Sequence, residues 1–196
     1  FQADFVIGIG GGSPLDAAKA IALLIANPKE DAGCLYESRE LKALPVIAVP
    51  TTCGTGSEVT PNAVLTRHAF KTKKSISHNI YPELALVDGK YLFSAGSRLI
   101  IHTAVDALAH CVESRLHTKA DIYNHMFSEY GLSLWSRLVP ALTQLASEKD
   151  QTPADLLSED NRETLMLAST VAGMAIAQTS TSLPHAISYE ITYNHG

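Results

Sequence analysis

Short unbroken apolar runs mark the first half of the chain, at residues 5–9, 46–49 and 84–87. A strand with one wet face alternates apolar and polar side chains, so continuous runs predict parallel strands covered on both faces. Between the first two runs, Leu15, Ala18, Ala22 and Ile25 recur at helical spacing. The order strand, helix, strand predicts a βαβ unit. From about residue 98 the strand signal stops and helical periodicity replaces it. Met126, Tyr130, Leu134, Leu138 and Leu142 fall every four residues, which predicts one core-facing stripe; Pro140 within it should kink the helix or begin a new one. The polar stretch 147–161, with Pro153, reads as a connection before a further helix over 162–178. The expected architecture is an incomplete α/β part with a parallel sheet over residues 1–97, then an all-helical part over residues 98–196.

Composition narrows the classes. With 46 % hydrophobic and 18 % charged residues among 196, and a mean hydropathy of +0.07, the chain is globular and not disordered. Its net charge of −5 and lack of a basic stripe argue against nucleic acid as a partner. The longest apolar run, residues 17–26, contains Lys19 and is too short to span a bilayer, and the N-terminal residues lack signal-peptide regions. Cys34, Cys53 and Cys111 are odd in number and contain no CxxC pair, so neither a disulfide framework nor a cysteine zinc site is expected. These features point to a cytoplasmic protein with no membrane partner.

Three segments carry candidate chemistry. Gly8-Ile9-Gly10-Gly11-Gly12-Ser13-Pro14-Leu15-Asp16 lies between a predicted strand and a predicted helix. Ser13 as N-cap, Pro14 at the first helical position and Asp16 two further on would start a helix whose free N–H groups attract a phosphate; the alternative is a tight turn that needs glycine. The pattern is neither the GxGxxG fingerprint nor a P-loop. A second glycine and hydroxyl loop, residues 50–60, follows the second strand, where a doubly wound sheet binds its ligand, although an ordinary Ser/Thr/Gly turn has the same composition. Asp106 and His110 stand four apart on one helical face, a spacing that suits either a shared cation or a simple hydrogen-bonded pair. His185 and His195 are further candidates; His68, His78, His102, His117 and His125 have no spaced partner. A hydrolase triad of Ser57, Asp106 and His110 is disfavoured, because no GxSxG elbow is present.

Taken in order, GGGSPLDAAKAIA, PTTCGTGSEVTP, PELALVD and VDALAHCVES followed by His185 resemble the iron-containing (group III) alcohol dehydrogenases of the dehydroquinate synthase-like fold. The resemblance implies an NAD(P)-dependent alcohol dehydrogenase or aldehyde reductase acting on a small primary alcohol or aldehyde. Within the same fold it leaves a glycerol-dehydrogenase-like or dehydroquinate-synthase-like enzyme, or a catalytically silent scaffold, as alternatives. Carried over by position, Gly10, Gly11, Gly12, Ser13 and Asp16 match the pyrophosphate loop. Thr51, Thr52, Thr55 and Ser57 would contact the rest of NAD or NADP, and Lys74 matches a lysine near the cofactor. Asp106, His110 and His185 match three of four ligands of a divalent metal, iron(II) in most members and zinc in some. No protein nucleophile is implied, and a homodimer or larger assembly is. Tyr189 stands where the family often has a second histidine, and Gly89-Lys90 where Asp-Pro usually continues. The fourth ligand would fall just beyond Gly196, so the resemblance implies an interior piece of a longer enzyme, with His195 an inadequate substitute.

Overall fold

The three apolar runs meet in one parallel sheet. Val6–Gly10 (β1) pairs with Val46–Pro50 (β2), with Val6 opposite Val46, and β2 pairs in turn with a short strand at Leu84–Ala85 (β5). The computed structural model describes residues 2–147 and 156–195, apart from the side chains at 189, 190 and 193–195. Helix α1 (Gly12–Ala26) crosses from β1 back toward β2 and lays Leu15, Ala18 and Ala22 on the sheet. Small residues permit this close packing: a Cβ on Gly8 would stand 2.8 Å from the Ala18 methyl. Ile25, in the last turn, is 40 % exposed.

Two features of this half add to the sequence reading. Phe5, Ile7 and Ile9 are each at least half exposed, so the described residues cover β1 on one face only. The sequence also gave no signal for the antiparallel hairpin of Val64–Arg67 (β3) and Thr72–Ser75 (β4). Its lysines and threonines lack an apolar alternation to recognise.

Helices follow from residue 97: α2 (Ser97–Leu116), α3 (Ile122–Ser147), α4 (Glu159–Thr179) and α5 (Leu183–His195). Their core joins Ile100 and Ala104 of α2 to Leu134, Leu138, Leu142 and Leu145 of α3 and Leu165, Met166 and Val171 of α4. Cys53, from the loop after β2, is buried in the same cluster, so one residue of the first part packs into the helical core. Ser158 caps α4 by accepting from the Asn161 N–H at 3.1 Å, and the helix begins at Glu159, three residues before the expected start. The predicted connection 147–161 lies partly outside the described residues.

The four-residue stripe on α3 needs correction. Met126 and Tyr130 are 56 % and 49 % exposed, whereas Asn124, Ser128 and Gly131 are buried. Each step of four advances about 40° beyond a full turn, so a strict four-residue repeat leaves the buried face within a few steps. Pro140 lies inside an uninterrupted α3 and does not begin a new helix. All three cysteines are buried and free. No helix among the described residues is long and apolar enough to cross a membrane.

Candidate metal and nucleotide site

The sequence places Asp106 and His110 one turn apart on α2, and the fold brings His185 to them from the first turn of α5. One ligand atom from each lies within 4.8 Å of the others. The His185 Nε2 is 3.3 Å from Asp106 Oδ1, the His110 Nε2 is 3.9 Å from the same oxygen, and the two imidazoles stack with centroids 4.7 Å apart. The chain reaches this arrangement through the three-residue connection 180–182, where Ser180 has φ +64° and ψ 179°, a backbone region that costs a non-glycine residue about 1–3 kcal/mol.

The residues fit a divalent cation. Two imidazoles and one carboxylate on one side of an open space form the donor set that suits Fe(II) and also Zn(II). His185 Nδ1 donates to Glu113 Oε1 at 2.5 Å. In the neutral ring the Nε2 lone pair therefore faces an Asp106 oxygen, two acceptors that need a positive charge between them. The ionisation of the site follows the same logic. The hydrogen bond to Asp106 leads in holding His185 above the usual histidine range, against burial and with help from Glu113. Burial raises Asp106, but its hydrogen bond to His185 and the charges of both imidazoles outweigh that and leave it low. Burial dominates at His110 and lowers it. Its Nδ1 is buried and has no hydrogen-bond partner among the described residues.

The same three residues line a cleft of about 500 Å³ whose other walls include Gly12, Ser13, Asp16, Thr55 and Ser57. The expected phosphate loop and the expected metal ligands thus share one space. The helix start itself differs from the expectation. Gly11 is the N-cap of α1, with no side-chain capping bond, and Ser13 is already helical. Pro14 consequently sits third in the helix, where its missing N–H would lack an intrahelical partner in any case. Asp16 does not cap; it accepts from Ser57 Oγ at 2.6 Å and from the Val64 N–H at 2.8 Å. Burial raises its carboxyl against those bonds and Lys19.

The glycine loop and the hydroxyl loop touch. A Cβ on Gly11 would meet Thr52 Oγ1 at 3.1 Å, and one on Gly12 would meet Thr55 Cγ2 at 2.7 Å. Thr51 and Thr52 face away from the cleft into a second hollow of about 520 Å³ with Tyr91, Phe93 and Leu99. Lys74 is not brought to either space: its ammonium lies 5.6 Å from the centroid of the Tyr36 ring. Its neighbour Lys73 lines the cleft instead, as the alternation of side chains along β4 requires.

Three residues of the site went unread in the sequence. Lys19 is fully buried and donates to Ser57 Oγ at 2.9 Å, Thr60 O at 2.8 Å and Asn62 O at 2.7 Å. Burial pushes it down to about 8, against the charges of Asp16 and Glu58. Glu58 is buried too and accepts from Thr170 of α4 at 2.8 Å. Glu113 holds His185 and Ser182. The available signals were Lys19 three residues after Asp16 and Glu113 three after His110, each on the helical face of its partner. His195 ends α5, but its side chain, like that of Tyr189, lies outside the described ones.

Comparison with known proteins adds family and fold. A family model described as iron-containing alcohol dehydrogenase matches residues 1–89, and one for the C-terminal part of the Fe-containing alcohol dehydrogenase family matches residues 100–196. A probable alcohol dehydrogenase of Salmonella typhimurium, EutG, is 32 % identical over 189 residues, covering 95 % of this chain and 45 % of its own length. The iron-containing alcohol dehydrogenase of Thermotoga maritima superposes with a TM-score of 0.87 at 35 % identity, over 99 % of this chain and 50 % of that one. A sulfoacetaldehyde reductase from Bifidobacterium kashiwanohense, solved in complex with NAD+, gives 0.86 at 29 % identity, with 99 % and 50 % covered. The chain spans about half the length of the relatives it matches.

Proposed function

Because the chain belongs to the iron-containing alcohol dehydrogenase family, we propose that it serves a metal-dependent, NAD(P)-dependent dehydrogenase that interconverts a small primary alcohol and its aldehyde. The observation that carries this reading is the Asp106, His110 and His185 group opening into the same cleft as the first turn of α1. On this reading Gly11, Gly12 and Ser13 present main-chain N–H groups to the pyrophosphate of the dinucleotide. One half of the dinucleotide occupies the hollow beside Thr51 and Thr52, and the nicotinamide half lies in the main cleft beside Thr55 and Ser57.

When bound, the cation supplies a Lewis acid for the substrate oxygen and the nicotinamide a hydride donor or acceptor for the adjacent carbon. The chain's own residues do the rest. Asp106, His110 and His185 would be the residues of this chain that hold the cation. Asp106 offsets part of the ion's charge. Lys19 and Asp16 grip Ser57 between them and fix the hydroxyl loop against α1.

The test combines two titrations on the chain: Co(II) followed by its visible absorption, and NADH and NADPH followed by fluorescence. Saturable binding of one equivalent of Co(II), abolished in His185→Ala, together with nucleotide binding that survives in that variant, supports the reading. No cation uptake by the parent, or uptake unchanged in His185→Ala, refutes the metal assignment. Turnover of primary alcohols by the Fe(II)-loaded protein then tests the substrate class.

A further inference from the structure

Glu113 is buried, one helical turn beyond His110 on α2, and its two oxygens are divided between different tasks. Oε2 accepts from the Ser182 main-chain N–H at 2.5 Å and from the Ser182 hydroxyl at 2.7 Å, while Oε1 accepts from His185 Nδ1 at 2.5 Å. We propose that Glu113 is a positioning residue that keeps the proton of His185 on Nδ1 and so leaves the Nε2 lone pair for the cation shared with Asp106 and His110. The inference rests on the metal reading above and deepens it.

A neutral imidazole has one N–H and one lone pair, and the partner of one nitrogen decides which is which. Both partners are carboxylates with no proton to give, and the Glu113 contact at 2.5 Å is much shorter than the Asp106 contact at 3.3 Å, so the single proton of the neutral ring stays on Nδ1. Nε2, the nitrogen nearest Asp106, is then the acceptor. The other half of Glu113 fixes the backbone from which the ring hangs, because Ser182 stands immediately before α5 and three residues before His185. One carboxylate thus sets both the chemical edge of the ring and its position. Outer partners of this kind change metal affinity by roughly 10- to 100-fold.

The geometry makes Glu113→Gln an informative variant. The Ser182 N–H can only donate, so the glutamine must turn its oxygen toward Ser182 and its NH2 toward His185. Nδ1 is then forced to accept, the ring proton moves to Nε2, and the lone pair needed by the cation is lost. Ser182→Ala is the control, since it removes a hydroxyl contact but keeps both the main-chain bond and the Glu113–His185 pair.

The experiment uses the full chain and two readouts. In Co(II) titrations, E113Q should bind roughly 10- to 100-fold more weakly than the parent, and S182A within a few-fold of it. In the metal-free protein with 15N-labelled histidine, at alkaline pH where the ring is neutral, His185 should carry its proton on Nδ1 in the parent and S182A, and on Nε2 in E113Q. Equal Co(II) affinity in parent and E113Q, a parent ring protonated on Nε2, or a loss in S182A as large as in E113Q overturns the proposal. If the parent takes up no Co(II), the metal reading fails, and the nitrogen shifts still decide the tautomer. Should E113Q lack a cooperative melting transition, the shifts of the parent and S182A decide instead.

Discussion

At the scale of single residues, the site depends on side chains that are absent and on charges that are buried. Gly11 lies so close to Thr52 that even a methyl would press on it at 3.1 Å. Gly11→Val should therefore push the two loops apart and weaken NADH or NADPH binding by tenfold or more, with the far-ultraviolet circular dichroism unchanged. Nucleotide titrations equal to those of the parent would remove the loop from the binding site. Lys19 gives a pH-dependent expectation. In the folded protein it titrates near 8, against an ordinary value of 10.5, so between these limits the unfolded chain holds the proton that the folded chain has released. Stability then rises with pH across that window. The difference between parent and Lys19→Met should move toward the parent by up to about 3 kcal/mol from pH 8 upward, as read by urea unfolding at several pH values. A difference independent of pH would mean that Lys19 keeps an ordinary affinity for its proton.

At the scale of elements, the hydroxyl loop after β2 is clamped between α1 and α4. Gly56, at φ +61°, backs onto Gly173 so closely that a Cβ on Gly173 would stand 2.8 Å from both the Cα and the O of Gly56. Two effects oppose each other in Gly173→Ala. Alanine favours the helix by about 1 kcal/mol, whereas overpacking against a backbone that cannot rotate away costs about 1–3 kcal/mol. Overpacking should win, lowering stability by up to about 2 kcal/mol in denaturant unfolding; a more stable variant would show that the loop yields freely. The elements themselves were unevenly legible in the sequence. Continuous apolar runs marked β1 and β2, and the glycine cluster marked the start of α1 to within two residues. The β3–β4 hairpin escaped because its side chains are polar, and the face of α3 was misread because a four-residue step drifts around a helix. The candidate metal group was legible as far as Asp106 and His110, since one helix fixes their spacing. His185 joined them only through the resemblance, because no local rule connects residues 79 apart. Lys74 entered only through the resemblance, and in the fold it is its neighbour Lys73 that lines the cleft.

At the scale of the whole molecule, a cation held by Asp106, His110 and His185 would tie α2 to α5. A ligand that binds only the folded state at a hundredfold excess over its Kd adds about 2.7 kcal/mol of stability. For a chain of this length that is roughly 5–10 °C in Tm. Zn(II) or Co(II) should produce such a rise in the parent and none in Asp106→Asn or His185→Ala; a rise of equal size in all three would place the ion elsewhere. The uneven sequence separation of the ligands also imposes an order in time. The glycine and hydroxyl loops, residues 10–60, leave the ribosome before any of the three metal ligands. Asp106 and His110 then wait for His185, made 79 residues after Asp106, which at ordinary synthesis rates is a delay of roughly 4–16 s. During that interval the nascent chain holds the proposed nucleotide loop but only two of the three proposed metal donors, so a cation shared by all three can be bound only once His185 has been made.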